Sequence, residues 1–197
     1  ALIYPLMLFL TAETVIQIAL PDLHVTWLCV TLLSVLYFTY CNEMWNQLDA
    51  LTGLLNQNSY LNRTAEMSRS GGLLIVFDVD NFKQVNDCYG HLQGDACLAA
   101  IAACLKKAYA CCGYCYRIGG DEFCVLLKNT AKEAACAEEF LRQLEKKRKE
   151  LTFLPTVSCG SAPLSGEDVV AVKDQADRAM YHHKKARKER AAAIVPE

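Results

Sequence analysis

"GGLLIVFDVD", Gly71 to Asp80, carries five apolar residues in a row, Leu73 to Phe77, and then closes on two acids. A strand with one wet face alternates apolar and polar residues, whereas an unbroken β-prone run is buried on both faces. The stretch therefore reads as the central strand of a sheet. Asp78 and Asp80 then emerge at its C-terminal end, where a site can form.

Outward from that strand, "GDACLAAIAACLKKAYACC" (Gly94 to Cys112) has apolar residues at helical spacing, Leu98, Ile101, Ala102, Leu105 and Tyr109, and predicts a helix starting at Gly94 or Asp95. Two short runs follow, "YCYRI" and "FCVLLK", flanking "GGDE". They predict a hairpin. Thr130 to Glu133 has the T-x-x-E form of a capping box, opening a helix whose inward stripe is Ala134, Ala137, Phe140, Leu141 and Leu144. "LPTVSCGSAPL" is a further strand. Ser165 to Asp168 caps a last helix, with Val169, Val172, Ala176, Ala179 and Met180 inward. The order strand, helix, hairpin, helix, strand, helix predicts an α+β domain, an antiparallel sheet with helices mostly on one face.

The first 62 residues hold no Lys or Arg, so all 20 basic residues lie downstream, and the net charge is -2. No nucleic-acid partner is expected from that balance. Val25 to Cys41 is 17 uncharged residues, about 25 Å as a helix, with Trp27 at one end and Tyr37, Tyr40 and Trp45 at the other. Ala1 to Leu20 is a second apolar run, containing Glu13, and "LPDLH" joins the two. The expectation is two transmembrane helices over 1–41, a linker over 42–48, a catalytic domain over 49–190 and a tail over 191–197. The chain starts with Ala, which suggests a piece of a longer, multi-pass protein of the inner membrane. Positive charge confined to the downstream part puts that part in the cytoplasm.

Eleven cysteines are present. Cys29, Cys97, Cys104, Cys124 and Cys136 sit in apolar patterns and read as reduced core thiols. Cys112 and Cys115 form a lone C-x-x-C without a second pair.

Two acidic clusters stand at strand ends, Asp78 with Asp80 and Asp121 with Glu122. In a ferredoxin-like sheet the central strand and the hairpin can be neighbours. Carboxylates about 4 Å apart repel by about 4 kcal/mol at an effective dielectric of 20, so the combined cluster calls for a cation. Oxygen ligands favour Mg²⁺, which is bound by one or two carboxylates plus substrate phosphates. With Gly119 and Gly120 allowing a ligand near the backbone, the pattern points to metal-dependent phosphoryl transfer.

Four segments resemble the GGDEF diguanylate cyclases: "DALTGLLN" (Asp49 to Asn56), "FDVDNFKQVNDCYGHLQGD" (Phe77 to Asp95), "RIGGDEF" (Arg117 to Phe123) and "ADRAMYHHKK" (Ala176 to Lys185). The resemblance implies a nucleotide-cyclase or palm-like, ferredoxin-like fold. It also implies condensation of two GTP into cyclic di-GMP and two pyrophosphates by a two-fold homodimer. Asp78, the Val79 carbonyl and Asp121 match the Mg²⁺ positions, where Mn²⁺ can substitute, and Asp121 matches the group that helps deprotonate the 3′-hydroxyl. Asn86 and Asp95 match the guanine contacts. A carboxylate accepts from guanine N1–H and its 2-amino group together, a donor pair adenine lacks.

Phe82, Lys83, Gly119 and Gly120 match positions along the phosphates, as do Lys184 and Lys188. Arg187 replaces the glycine that commonly precedes Lys188. "ACCG" (Ala110 to Gly113) stands where many relatives carry an inhibitory R-x-x-D product site, so none is expected. The competing class is a catalytically silent domain that binds GTP or a protein partner, against which the intact Asp78, Asp121, Asn86 and Asp95 weigh.

Overall fold

The computed structural model describes residues 26–45, 47–166 and 168–194, together with residues 11, 12, 15 and 18. They fall in two units, 1–46 and 47–197. In the first, helix α1 (Thr26–Trp45) covers most of the long uncharged run. Its Val30, Val35, Leu36 and Phe38 are exposed. The Ser34 and Thr39 hydroxyls donate to carbonyls of their own helix, Ser34 to Val30 at 2.8 Å and Thr39 to Val35 at 2.9 Å. Among the described residues no helix is long and apolar enough to cross a membrane. The other expected span, Ala1 to Leu20, falls mostly outside the described residues.

The second unit runs α2 (Gln57–Ser70), β1 (Gly72–Val79), α3 (Phe82–Tyr89), α4 (His91–Tyr109), β2 (Gly113–Arg117), β3 (Glu122–Leu127), a 3-10 turn (Thr130–Lys132), α5 (Glu133–Glu150), β4 (Val157–Leu164) and α6 (Val169–Ile194). The sheet order is β2-β3-β1-β4, antiparallel throughout. β1 is central, as its composition requires, and β2 and β3 form the expected hairpin.

Helices cover both faces of the sheet, which corrects the one-face expectation. Successive side chains of a strand point to opposite faces. Leu73, Ile75, Phe77 and Val79 join Phe123, Val125 and Leu127 against α4 and α5. Leu74 and Val76 join Cys124 and Leu126 on the other face, against Tyr60 and Met67 of α2 and Val172 and Ala176 of α6. A strand apolar on both sides has to be covered on both sides. The first core is aromatic at its centre, with Phe77 edge-on to Tyr109 and Phe140 at 5.9 and 5.2 Å between centroids.

Three local expectations shift. The helix expected from Gly94 or Asp95 starts at His91, preceded by the short α3, while its buried stripe is the expected one. The Thr130 capping box does not form, because the Asn129 side chain accepts from Ala131 N at 3.1 Å and caps a 3-10 turn instead. The buried stripe of α5 keeps the expected Phe140 and Leu144 but takes in Cys136 and Gln143, and leaves Ala134 and Leu141 exposed. The five cysteines read as core thiols are all buried.

Candidate functional site

β1 and β3 pair so that Asp78 lies opposite Glu122, and β1 and β4 pair so that Asp78 lies opposite Ser158. Asp78 has the parity of Leu74 and Val76, so its carboxyl points to the α2 and α6 face. One residue past it, Val79 N donates to the Asp121 carbonyl at 3.2 Å. The two acidic clusters thus meet at the edge of the sheet, as their composition suggested. Asp78 and Asp121 are both partly exposed.

Lys184 of α6 reaches across and forms an ion pair with Asp78, with Asp80 Oδ1 at 3.5 Å. Burial works against the Lys184 charge, but the Asp78 and Asp80 carboxylates outweigh it and raise its pKa. The reach depends on Gly160. A Cβ there would stand 2.2 Å from Met180 N and 2.3 Å from the Ala176 carbonyl. Only glycine lets α6 lie this close to β4.

Asp80 is a different acid. Its side chain is 3% exposed, against 18% for Asp78. Thr156 donates to its Oδ2 at 2.7 Å and Ser158 to its Oδ1 at 2.8 Å, while Asp80 N donates to the Thr156 carbonyl at 2.8 Å. The sequence puts Asp80 in the acidic cluster that calls for a cation, with no part distinct from Asp78, and does not single out Thr156 or Ser158. The signal was there in "PTVS", whose Thr156 and Ser158 are spaced by two like Asp78 and Asp80, once β4 is known to flank β1.

The hairpin turn is pinned from outside. Arg117 donates to the Gly120 carbonyl at 2.8 Å through one terminal nitrogen and pairs with Asp49 at 3.1 Å through the other. Asp49 also accepts from the Thr52 amide and hydroxyl. Burial alone would raise the Asp49 carboxyl, but the Thr52 hydrogen bonds and the Arg117 charge hold it below its ordinary value. Leu55 bonds both sides of Tyr116, accepting from Arg117 N at 2.8 Å and donating to the Cys115 carbonyl at 3.1 Å. The "DALTGLLN" segment thereby supports the turn. Gly120 has open space where a Cβ would be, and at Gly119 a Cβ would stand 3.2 Å from Glu122 Oε2. Glu122 therefore folds back along its own turn.

Asn86 and Asp95 lie on α3 and α4, on either side of the Gly90 junction. A Cβ on Gly94 would stand 1.9 Å from Asn86 Oδ1 and 3.2 Å from the Phe82 ring, so that glycine makes room for the Asn86 carboxamide. Asp95 is exposed. Phe82 and Lys83 open α3, where backbone N–H groups lack intrahelical partners and favour an anion. A cavity of 310 Å³ between α3 and residues 152–156 is lined by Asp80, Asn81, Gln84, Tyr89, Phe153 and Thr156 among others, and takes in neither Asp78 nor Asn86. The Lys188 and Arg187 side chains lie outside the described residues.

Asp78 near the end of β1 and Asp121 just before β3 offer carboxylate oxygens, the donor type that a hard divalent cation takes, and Asp78 already pairs with a cation, the Lys184 ammonium. Among the described residues no cluster of three or more His, Cys, Asp or Glu side chains forms that could hold a metal ion. Asp80, with both oxygens taken by hydroxyls, does not offer the same opening.

The family model described as "Diguanylate cyclase, GGDEF domain" matches residues 46–190. The diguanylate cyclase DgcP of Pseudomonas aeruginosa is 38% identical over 160 residues, covering 72% of this chain and 23% of that protein. The cyclic di-GMP phosphodiesterase PdeR of Escherichia coli is 34% identical over 165 residues, 76% of this chain and 24% of that protein. The chain thus spans about a quarter of the length of these relatives. Among solved structures, the GGDEF domain of DgcB from Caulobacter crescentus in complex with c-di-GMP is 28% identical with a TM-score of 0.61, covering 71% of this chain and 91% of that one.

Proposed function

The chain belongs to the GGDEF diguanylate cyclase family, and we propose that it condenses two GTP into cyclic di-GMP and two pyrophosphates. One observation carries the reading. Asp78 and Asp121 stand together at the ends of adjacent strands, with a lysine ammonium already neutralising Asp78.

Asn86 and Asp95 would hold the guanine edge, Asp95 accepting from N1–H and the 2-amino group. The N-terminus of α3 at Phe82 and Lys83, the open backbone at Gly119 and Gly120, and Lys184 and Lys188 would hold the triphosphate. Asp78, the Val79 carbonyl and Asp121 would hold Mg²⁺ or Mn²⁺, which supplies charge neutralisation on the phosphates. Asp121 would accept the proton of the attacking 3′-hydroxyl. The 3′-oxygen forms a bond to the α-phosphorus of the other GTP, and the α–β bridging bond breaks with its electron pair leaving on pyrophosphate. Two domains facing each other around a two-fold axis would make both bonds and close the ring. Most of the acceleration would come from positioning and electrostatics.

The exposed apolar surface of α1 supports a membrane anchor holding the domain at the cytoplasmic side of the inner membrane. With "ACCG" at Ala110 to Gly113, no separate inhibitory product site is expected. Incubating the chain with GTP and Mg²⁺ should give cyclic di-GMP by mass spectrometry, and unchanged GTP would refute the reading. Fractionation of expressing cells should place the chain with the membranes, and recovery in the soluble fraction would remove the anchor.

A further inference from the structure

We propose that Asp80 is a positioning residue for Lys184, a fixed second carboxylate that keeps the ammonium at the site when a divalent cation takes Asp78. The inference rests on the reading of Asp78 as a metal ligand.

Three observations carry it. First, Asp78 stands near the end of β1 and Asp80 one residue past that strand, close enough for one ammonium to face both. Lys184 pairs with Asp78 and stands 3.5 Å from Asp80 Oδ1. Second, the Asp80 carboxylate is nearly sealed, 3% exposed, and oriented by the Thr156 and Ser158 hydroxyls at 2.7 and 2.8 Å. Magnesium and manganese keep water ligands and need near-octahedral space. A carboxylate 3% exposed and accepting two hydroxyl hydrogen bonds still faces the Lys184 ammonium, but presents little oxygen surface to an ion that keeps its water ligands. Third, the contact of α6 with β4 at Gly160 fixes the base of the Lys184 side chain. The lysine can therefore shift between neighbouring oxygens, but it is not carried away from them.

An ammonium has three donors and no fixed fork. It tolerates a change of partner that an arginine would resist. In the cation-free chain Lys184 neutralises Asp78. When a divalent ion binds Asp78, repulsion moves the ammonium onto Asp80, where it stays beside the position assigned to the triphosphate. Two acids of one D-x-D segment thus divide the work, Asp78 for the ion and Asp80 for the lysine.

The test measures Mn²⁺ binding to the full chain without nucleotide, with free Mn²⁺ counted by electron paramagnetic resonance. Lys184→Gln removes the competing ammonium and is expected to tighten Mn²⁺ about threefold or more. Asp80→Asn leaves Lys184 no alternative partner and is expected to weaken Mn²⁺ about tenfold, but at most about threefold in the Lys184→Gln background. Equal losses in the two backgrounds would mean Asp80 acts only as a nearby charge and would overturn the proposal. So would a Lys184→Gln chain that binds Mn²⁺ no better than the parent.

Thr156→Val, at an exposed position, removes one of the two hydroxyls that orient the Asp80 carboxylate and should weaken Mn²⁺ about twofold, again only while Lys184 is present. It keeps the claim testable if Asp80→Asn does not fold. If neither the parent nor Lys184→Gln holds Mn²⁺, the inference and the metal reading fall together. The expected pattern in a chain that forms no cyclic di-GMP would leave the inference standing and remove only the proposed turnover.

Discussion

The two faces of the sheet are built from different materials. On the α4 and α5 face Phe77 packs with Tyr109, Leu98 and Leu105 of α4 and Phe140 of α5 in a deep aromatic core. The other face has a smaller cluster, with Tyr60, Leu74, Tyr116 and Leu126 buried in it, but where β4 meets α6 the residues are Gly160, Ala162 and Ala176, so that backbone meets backbone. The first face has the larger set of buried apolar residues and so the larger share of the stability. The β4–α6 contact on the second fixes distances, and Asp78 and Lys184 both lie beside it. A fold can separate what keeps it folded from what aims its reactive groups.

That contrast can be broken by one pair of substitutions. Phe140→Ala leaves a cavity in the aromatic core and should cost about 3–5 kcal/mol in denaturant unfolding. The fraction that remains folded should turn over GTP normally. Gly160→Ala should cost less, about 1–3 kcal/mol, by forcing α6 from β4. It should nonetheless remove most activity from folded protein, because Lys184 moves with the helix. Should Phe140→Ala lower kcat in folded protein while Gly160→Ala does not, the division between the faces is wrong.

A smaller effect sharpens the same point at the α3–α4 junction. Gly94→Ala pushes the Asn86 carboxamide aside and meets the Phe82 ring at 3.2 Å, so stability should fall by about 1 kcal/mol. The KM for GTP should rise with kcat little changed. A normal KM would show that the Asn86 carboxamide does not touch the base.

The smallest effect is on acid stability. The folded-state pKa of Asp49 lies below its ordinary value of 3.8. The stabilisation it gives is therefore fully present above the unfolded value and is lost as pH falls through the lower folded one. The stability difference between the parent chain and Asp49→Asn should be constant from neutrality to about pH 5 and shrink below about pH 4. A difference that grows in acid would show that the Arg117 pin does not work through the Asp49 charge.

Much of this was legible in residue patterns. Leu73 to Phe77 marked the central strand, the runs around "GGDE" marked the hairpin, and together they brought Asp78 near Asp121. The role of Asp80 was not legible, because it depends on which strand flanks β1, and Thr156 and Ser158 are 76 and 78 residues away in sequence. The second helical layer was hidden for a similar reason. The α6 stripe with Val172 and Ala176 was legible, but the face of the sheet it covers follows from the long-range pairing of β1 with β4. The α5 stripe was partly misread because the apolar Leu141 is exposed while the polar Gln143 is buried, and the expected Thr130 cap because Asn129 took its place.

The central claim is that Asp121, beside Asp78 at the strand ends, is part of a reacting centre. The most direct measurement compares the parent chain with Asp121→Ala under identical GTP and Mg²⁺, following cyclic di-GMP by mass spectrometry after both are shown to be folded. The expected result is product from the parent and none from the variant. Equal product from the two chains would contradict the account.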